Sequence, residues 1–495
     1  MSNKTLLAID QGTTSSRAIL FSEAGEVLDV QQKELELHYP YKGWVEQQPE
    51  DIWNDTRDCC MKILNKIEQQ PVAIGITNQR ETTIVWDRKT GEAVYNAIVW
   101  QDRRTTELCD ALKKQGCEAN ITSKTGLLLD PYFSATKIAW ILDNVSGVRE
   151  RAEAGELAFG TVDSYLLWQF TDGAVHSTDI TNASRTMLYN IVEQQWDKEL
   201  LELFNIPASL LPEVKDNVAA FGTTSKNTVG AEILIGGMAG DQQAALIGQC
   251  CFKPSMVKST YGTGCFVLMN IGPEFRQSQN RLLTTVAFRI DGQINYAIEG
   301  SIFVAGAAIQ WLRDGLGLFS DVRESEALAT SVKDNNEVYF VPAFTGLGAP
   351  YWNPEAKALI MGLSRESTQA HIVRAALEAQ AYQTLDLMSA MQADSGYSPG
   401  VIRADGGLVA NSFMCQFLAD MLNISIEVPH VAETTAWGAA ALAGVQIGVF
   451  NGIEDIEKGW AAEKCYKPLM TAEQRGALYT GWNKAVNMLT HPQNF

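Results

Sequence analysis

Histidine, paired cysteines and long apolar runs are all scarce in this 495-residue chain. Its five histidines and nine scattered cysteines include no C-x-x-C pair, and only Cys59-Cys60 and Cys250-Cys251 are adjacent. That pattern excludes a zinc site and a disulfide framework and suits reduced thiols in a cytosol. No stretch reaches the ~18 uninterrupted apolar residues that a membrane span needs. The closest, Ala436 to Phe450, is broken by Gln446 and three glycines and reads as a buried helix. Met1-Ser2-Asn3-Lys4 leads straight into an apolar strand, so a signal peptide is not expected. Positive charge is also short: 39 Lys and Arg against 58 Asp and Glu give a net charge of −19. This argues against the basic stripe of a nucleic-acid binder and against a polybasic membrane anchor. Neither a G-x-x-x-x-G-K-[ST] loop nor a G-x-G-x-x-G turn between strand and helix occurs, so a nucleotide would have to be held by another device.

What is present is an ordinary apolar fraction of 46% on a chain too long for one core. Two α/β domains are expected, residues 1–252 and 253–495, with no Ser/Gly linker between them. The first half alternates strands and helices: a helix over 52–67, strands over 73–77 and 83–86, a hairpin returning over 94–100, then helices near 104–115 and 136–144. Strand, helix, strand in the second half (401–404, 411–422, 424–428) is a crossover unit and implies parallel pairing. A long helix over 369–394 precedes it and an Ala-rich helix over 435–445 closes it. Two segments share one design. Leu6 to Phe21 is strand, polar turn (Gly12-Thr13-Thr14), strand; Met256 to Met269 repeats it around Gly262-Thr263-Gly264. The repeat suggests an internal duplication with two loops facing across a cleft.

The first turn offers backbone N–H groups and the hydroxyls of Thr13, Thr14 and Ser15 to an anion, with Arg17 at its exit. Asp10 sits at its mouth, where a divalent cation bridging phosphates would be held through water. A plain polar turn is the competing interpretation. Asp241, after Gly237-Met238-Ala239-Gly240, suits a helix N-cap or a general base for an attacking hydroxyl. Arg80-Glu81 reads locally as solvated surface, or else as a pair gripping neighbouring substrate hydroxyls through charge-assisted bonds. Trp100, Tyr132 and Phe266 are core aromatics or an apolar wall for substrate carbons. Asp405-Gly406-Gly407 with Asn411 is a capped strand-to-helix turn or a place where a nucleotide approaches the backbone. Gly306 and Gln310 lie on a helical segment of equally open meaning.

In order, Asp10-Gln11-Gly12-Thr13-Thr14, Asn78-Gln79-Arg80-Glu81-Thr82-Thr83, Trp100-Gln101-Asp102-Arg103-Arg104, Gly240-Asp241-Gln242-Gln243, Tyr261-Gly262-Thr263-Gly264 and Asp405-Gly406-Gly407 resemble the glycerol kinases among the FGGY carbohydrate kinases. The segment Tyr132 to Asn144 is similar to that family's first signature. The resemblance runs from about residue 5 to beyond 480. It implies two ribonuclease-H-like domains of the actin and sugar-kinase type, flanking a deep cleft and closing on ATP, Mg2+ and glycerol. Carried over residue by residue, Thr13, Thr14, Ser15 and Arg17 would meet the phosphates and Asp10 would organise the magnesium. Arg80, Glu81, Tyr132, Asp241 and Gln242 would hold glycerol, with Trp100 and Phe266 beside its carbons and Asp241 as base. Thr263, Gly306, Gln310, Gly407 and Asn411 would line the nucleotide site. A homodimer or homotetramer in the cytoplasm is implied, with no nucleic-acid partner. A sister kinase for xylulose or erythritol is the nearest rival. A nucleotide-driven switch without catalysis, as in the actin and chaperone relatives, is a rival of another class.

One departure stands out. Some bacterial members are inhibited by fructose 1,6-bisphosphate through a Gly-rich loop ending in Arg. Here the stretch is Ser225 to Glu232, poor in Gly and with a carboxylate where the Arg is expected. No His lies between His176 and His371, so the His phosphorylation that activates other members has no acceptor there. Steady-state turnover is expected to be insensitive to fructose 1,6-bisphosphate, and inhibition at millimolar effector or below would overturn this.

Overall fold

Apolar residues on both faces of 6–9 and 18–21 drive two strands into a buried ladder. In the computed structural model, which describes residues 4–490 apart from Pro354, strands Thr5–Gln11 and Ser15–Ser22 pair antiparallel with Asp10 opposite Arg17. Strand Val27–Glu34 extends this hairpin on one side. On the other, Ala73–Asn78 and then Leu234–Gly240 run parallel to it, and Val218–Thr223 closes the six-stranded sheet antiparallel. Ala73–Asn78 is buried at every position, as a parallel strand covered on both faces should be.

The second half repeats this plan. Val257–Tyr261 and Cys265–Gly272 form a hairpin about residues 262–264, extended antiparallel by Gln293–Ile302 and Leu283–Ile290. Parallel strands Val401–Asp405 and Ser425–Pro429 follow on the other side, with Ala462–Tyr466 at the edge of seven. The duplication expected from two short turns therefore extends through whole sheets.

Helix Pro49–Leu64 buries Ile52, Thr56, Cys59, Cys60 and Ile63 at helical spacing, and Pro49 opens its first turn, where a missing N–H costs nothing. The Ala-rich helix Thr434–Gln446 is apolar on all sides for a specific reason. Although it belongs to the second half of the chain, it lies on strands Thr5–Gln11, Ala73–Asn78 and Leu234–Gly240 of the first sheet, and against helix Asp241–Gly248. Glycine makes the approach possible: a Cβ on Gly438 would lie 1.9 Å from the Ala244 carbonyl oxygen, and one on Gly75 would lie 2.0 Å from that of Ala439. Leu6, Ala8, Ala244, Leu268, Ala287 and Ala440 share one apolar cluster, so a layer fed by both sheets forms the centre of the molecule.

One expectation holds in part and one is corrected. The turn after Trp86 forms, with the Gly91 N–H donating to the Asp87 carbonyl, and the hairpin returns through the antiparallel bridges Trp86–Ala93 and Thr83–Ile98, the Val94 N–H donating to the Val85 carbonyl. The returning arm is regular strand only at Ala97–Ile98, which also pairs with Glu46–Gln47, while Ile84–Asp87 pairs with Leu157–Gly160, a wholly buried strand. Asp241 is not an N-cap; Gly240 takes that position and Asp241 is the first helical residue.

Substitution Gly438→Ala should force the two central helices apart and cost about 1–3 kcal/mol, as overpacking of a core does. Urea unfolding of the variant checks this, and an unchanged midpoint would show that the helix pair can yield.

Candidate active site

The turn of the first hairpin is braced from outside. Its Gly12 N–H bonds the Ser15 carbonyl at 2.9 Å. Gln47 Nε2 donates to the Thr13 carbonyl at 2.6 Å, and Trp100 Nε1 donates to Thr13 Oγ1 at 2.9 Å. Thr14 is exposed and Ser15 half-buried. Arg17 Nη1 reaches Asp10 at 3.4 Å while its Nη2 reaches Glu433, just before helix Thr434–Gln446, at 2.7 Å. Burial raises the Asp10 carboxyl to about 6 against the pull of Arg17, with Asp241 and Glu433 adding to the rise.

Where strand Ala73–Asn78 leaves the first sheet, Arg80 and Glu81 turn inward. Both are almost fully buried, which overturns the solvated-surface interpretation. Glu81 holds φ at 60°, an uncommon conformation for a non-glycine residue and one that concentrates at functional sites. Its carbonyl is fixed by Ser134 Oγ at 3.1 Å and Lys137 Nζ at 3.4 Å. The two side chains belong to a ring of four alternating charges. Arg80 makes two bonds to Glu299, at 2.6 and 2.9 Å. Glu299 accepts from Arg185 Nη2 at 3.0 Å, and Arg185 Nε donates to Glu81 at 2.6 Å. Burial pushes the Glu299 carboxyl up, but Arg185 and Arg80 outweigh it and hold the group at about 2. Glu81, with one arginine bonded where Glu299 has two, stays above its ordinary value because burial prevails.

Arg80 Nε, which closes the ring to Glu81 at 3.9 Å, lies nearer still to Asp241 Oδ1, at 3.3 Å. Asp241 is one-third exposed, so it is reachable, and its Oδ1 accepts from the Gln242 N–H at 2.7 Å. Burial raises its carboxyl, opposed by Arg80 and Lys258. Trp100 and Tyr132 stand edge to face at 5.5 Å, and the Arg185 guanidinium lies 5.7 Å from the Tyr132 ring. Phe266 is half-buried on the second hairpin, opposite Thr260 and Ser301.

The second turn docks on the start of helix Gly306–Asp314. The Thr263 carbonyl accepts from the N–H groups of Ala305 and Ala307, and the Gly262 carbonyl from that of Gly306. Gly306 can carry no Cβ, which would sit 2.6 Å from the Gly262 oxygen. Gln310 is exposed one turn further along. After strand Val401–Asp405 the glycine that the backbone requires is Gly406, at φ 92° and crowded by Tyr261; Gly407 faces open space. Asn411 does cap helix Ser412–Leu422, its Oδ1 accepting from the Met414 N–H at 2.9 Å. Asp405 Oδ2 accepts from Gln249 and from Thr434, whose neighbour Glu433 holds Arg17. The two turn sites are thus joined through the head of the Ala-rich helix.

Sequence reasoning missed Glu299, Arg185, Lys258 and Glu433. A signal existed for two of them: Glu299 is the lone acid in strand Gln293–Ile302, and Lys258 the lone cation in strand Val257–Tyr261. Among the described residues no cluster of three or more His, Cys, Asp or Glu could hold a metal by itself.

Comparison with known proteins fits this geometry. Residues 5–248 match the N-terminal domain of the FGGY family of carbohydrate kinases, and residues 257–447 match its C-terminal domain. The chain is 64% identical over 489 residues to the glycerol kinase of Nitrosomonas eutropha, covering 98% of each. It is 58% identical over 484 residues to that of Alcanivorax borkumensis, covering 97% of each. Among solved structures it is similar to Plasmodium falciparum glycerol kinase with ADP, with a TM-score of 0.94 and 35% identity over 98% of both chains. A xylulose kinase from Lactobacillus acidophilus shares the fold at TM-score 0.88 but only 21% identity.

Replacing Glu299 by Gln leaves two buried arginines short of a counter-charge. Breaking a buried pair on one side costs about 3–5 kcal/mol, so the variant should unfold at distinctly lower denaturant. Unaltered stability would show that the ring contributes nothing to the fold.

Proposed function

Because the chain belongs to the FGGY family of carbohydrate kinases, we propose that it transfers the γ-phosphoryl group of ATP to glycerol, giving sn-glycerol 3-phosphate. The observation that carries this reading is the quartet Arg80, Glu81, Asp241 and Gln242, the first pair buried and the second half-buried, with Trp100 and Tyr132 nearby. Carboxylates, a guanidinium and an amide beside aromatic rings are the chemistry that a small polyol requires. Relatives named glycerol kinase at 54–64% identity support it. Xylulose or erythritol as the acceptor is not favoured, since the solved xylulose kinases likened here share only about a fifth of their residues with this chain.

In this reading residues 1–252 carry the acceptor and phosphate contacts and residues 253–495 the nucleotide contacts. Glu81 accepts from acceptor hydroxyls and Arg80 donates to their oxygens through its Nε edge. Asp241 takes the proton from the terminal hydroxyl as that oxygen attacks the γ-phosphorus in line and ADP leaves. The carboxyl's raised affinity for a proton suits a base that must hold one transiently. Thr13, Thr14, Ser15 and Arg17 receive the phosphates, while Thr263, Gly306, Gln310, Gly407 and Asn411 line the adenosine side. Asp10 fits Mg2+, which favours one or two carboxylates plus substrate phosphates and retained waters. The ion, when bound, neutralises charge on the triphosphate. Closure of the two halves excludes water, the competing nucleophile. The nine free cysteines are in keeping with a reducing cytosol, and no helix among the described residues is long and apolar enough to cross a membrane. A homodimer or homotetramer belongs to the same proposal.

ADP release measured with glycerol and with a panel of longer polyols and ketoses tests the assignment; faster turnover of any other acceptor would replace it. Asp241→Asn should lower kcat by about 10²- to 10⁴-fold, the usual worth of a positioned general base, while nucleotide affinity persists. Near-normal turnover in that variant would remove Asp241 from the role.

A further inference from the structure

Lys258 has no role in the reading above, yet it is placed where a lysine is costly. It lies inside strand Val257–Tyr261 with no exposure. The duplicated architecture shows that the fold does not demand it. Four residues before the turn glycine of the first hairpin, Gly12, stands Ala8; four residues before Gly262 stands Lys258. Both are fully buried on equivalent strands.

A buried ammonium is tolerated when it is paired and hydrogen-bonded. Arg80 and Arg185 meet carboxylates directly, but Lys258 takes part in none of the ion pairs among the described residues. Its hydrogen bond goes to an amide, Gln242 Oε1, at 2.5 Å. Asp405 and Asp241 act on it only through space, against a burial that lowers its proton affinity. An ammonium has donors and no acceptor, so the Gln242 atom facing it must be the oxygen. The amide's two N–H donors are thereby turned the other way. Gln242 follows Asp241 directly at the start of helix Asp241–Gly248, whereas Lys258 comes from the second sheet.

We propose that Lys258 is a positioning residue for the phosphoryl acceptor: by fixing Gln242 Oε1 it aims the amide donors at a substrate hydroxyl and keeps a positive charge beside Asp241. This rests on the kinase reading above and deepens it, making discrimination for the acceptor depend on a residue of the opposite sheet.

The test uses the full-length variants Lys258→Met, Lys258→Arg, Gln242→Ala and the double variant Lys258→Met/Gln242→Ala. Kinetics are read on whichever polyol the wild type turns over fastest, so failure of the glycerol assignment and failure of this proposal are separate results. Lys258→Met should raise KM for the acceptor roughly tenfold or more, the worth of one charge-assisted hydrogen bond. KM for ATP should stay near wild type, and the melting temperature should hold or rise because a lone buried charge has gone. Lys258→Arg, which keeps charge and donors, should recover part of the loss. The double variant should be no worse than the worse single, since both act on one contact. Additive losses, an unmoved acceptor KM, a loss falling on ATP instead, or a Lys258→Met chain that melts early or fails to fold would each overturn the proposal.

Discussion

The arrangement of this protein hangs on one buried ring of alternating charges, Arg80, Glu299, Arg185 and Glu81. Bringing four charged groups out of water is expensive, and any one of them left alone would unfold its surroundings or titrate away. The ring is stable because Glu299 bonds both arginines at 2.6–3.0 Å, Arg185 bonds Glu81 at 2.6 Å, and Arg80 closes the circuit to Glu81 at 3.9 Å. Three members come from the first half of the chain and one from the second sheet, so the ring also ties the halves together at depth. Its functional consequence is geometric. With Nη1 and Nη2 of Arg80 committed to Glu299, only the Nε edge is left toward Asp241. A site with so few free donors, all fixed, suits a small acceptor held in one orientation.

The ring and the central glycine-lined helices address the same requirement from different sides. Under the proposed function, closure of the halves has to leave the acceptor contacts undisturbed. Helices Asp241–Gly248 and Thr434–Gln446 pack so closely that Ala244 and Gly438 touch backbone to side-chain position, and this layer serves both sheets. Asp241 begins one of these helices and Glu433 immediately precedes the other. The proposed base and the partner of Arg17 are therefore carried by this close-packed layer, while Thr13 and Thr263 sit on turns at the ends of hairpins.

The elements that sequence reasoning located are those with local causes. The two hairpins followed from apolar runs about a polar turn, the helix expected over 52–67 and found at 49–64 from its 3.6-residue periodicity, and the helix expected over 435–445 and found at 434–446 from its Ala-rich apolar run. Asn411 could be recognised as a cap because capping is a contact across three residues. What could not be read is set by long-range partners. Glu299 lies 219 residues from Arg80, and Arg185 lies 104 from Glu81. Taken alone, Arg80-Glu81 has the appearance of surface and Glu299 that of a blemish in a strand; only pairing gives them meaning. The hairpin from Thr83 to Ile98 was legible because its partners are near in sequence, whereas the second partner of Ile84–Asp87, strand Leu157–Gly160, was not, because it lies some seventy residues away. At 405–407 both glycines were named; the crowding falls on Gly406 and could not be read, because it comes from the Tyr261 backbone of another strand.

The net charge of −19 sharpens the electrostatic problem of binding a triphosphate. Such a chain has to bring cations to one place without leaving them uncompensated when the site is free of nucleotide. The structure does so by pairing: Arg17 lies between Asp10 and Glu433, with the Asp10 carboxyl raised to about 6. Phosphates arriving at the first turn would compete with Glu433 for Arg17, and the exchange frees an acid at the head of the helix that joins the two halves. Glu433 is adjacent to Thr434, which bonds Asp405 at the second turn, so the partner of Arg17 and the strand end that precedes Gly406 and Gly407 are anchored at one helix head. Under the proposed function, the phosphate and nucleotide sides of the cleft share this helix head as a common anchor, separate from the buried ring that holds Arg80 and Glu81.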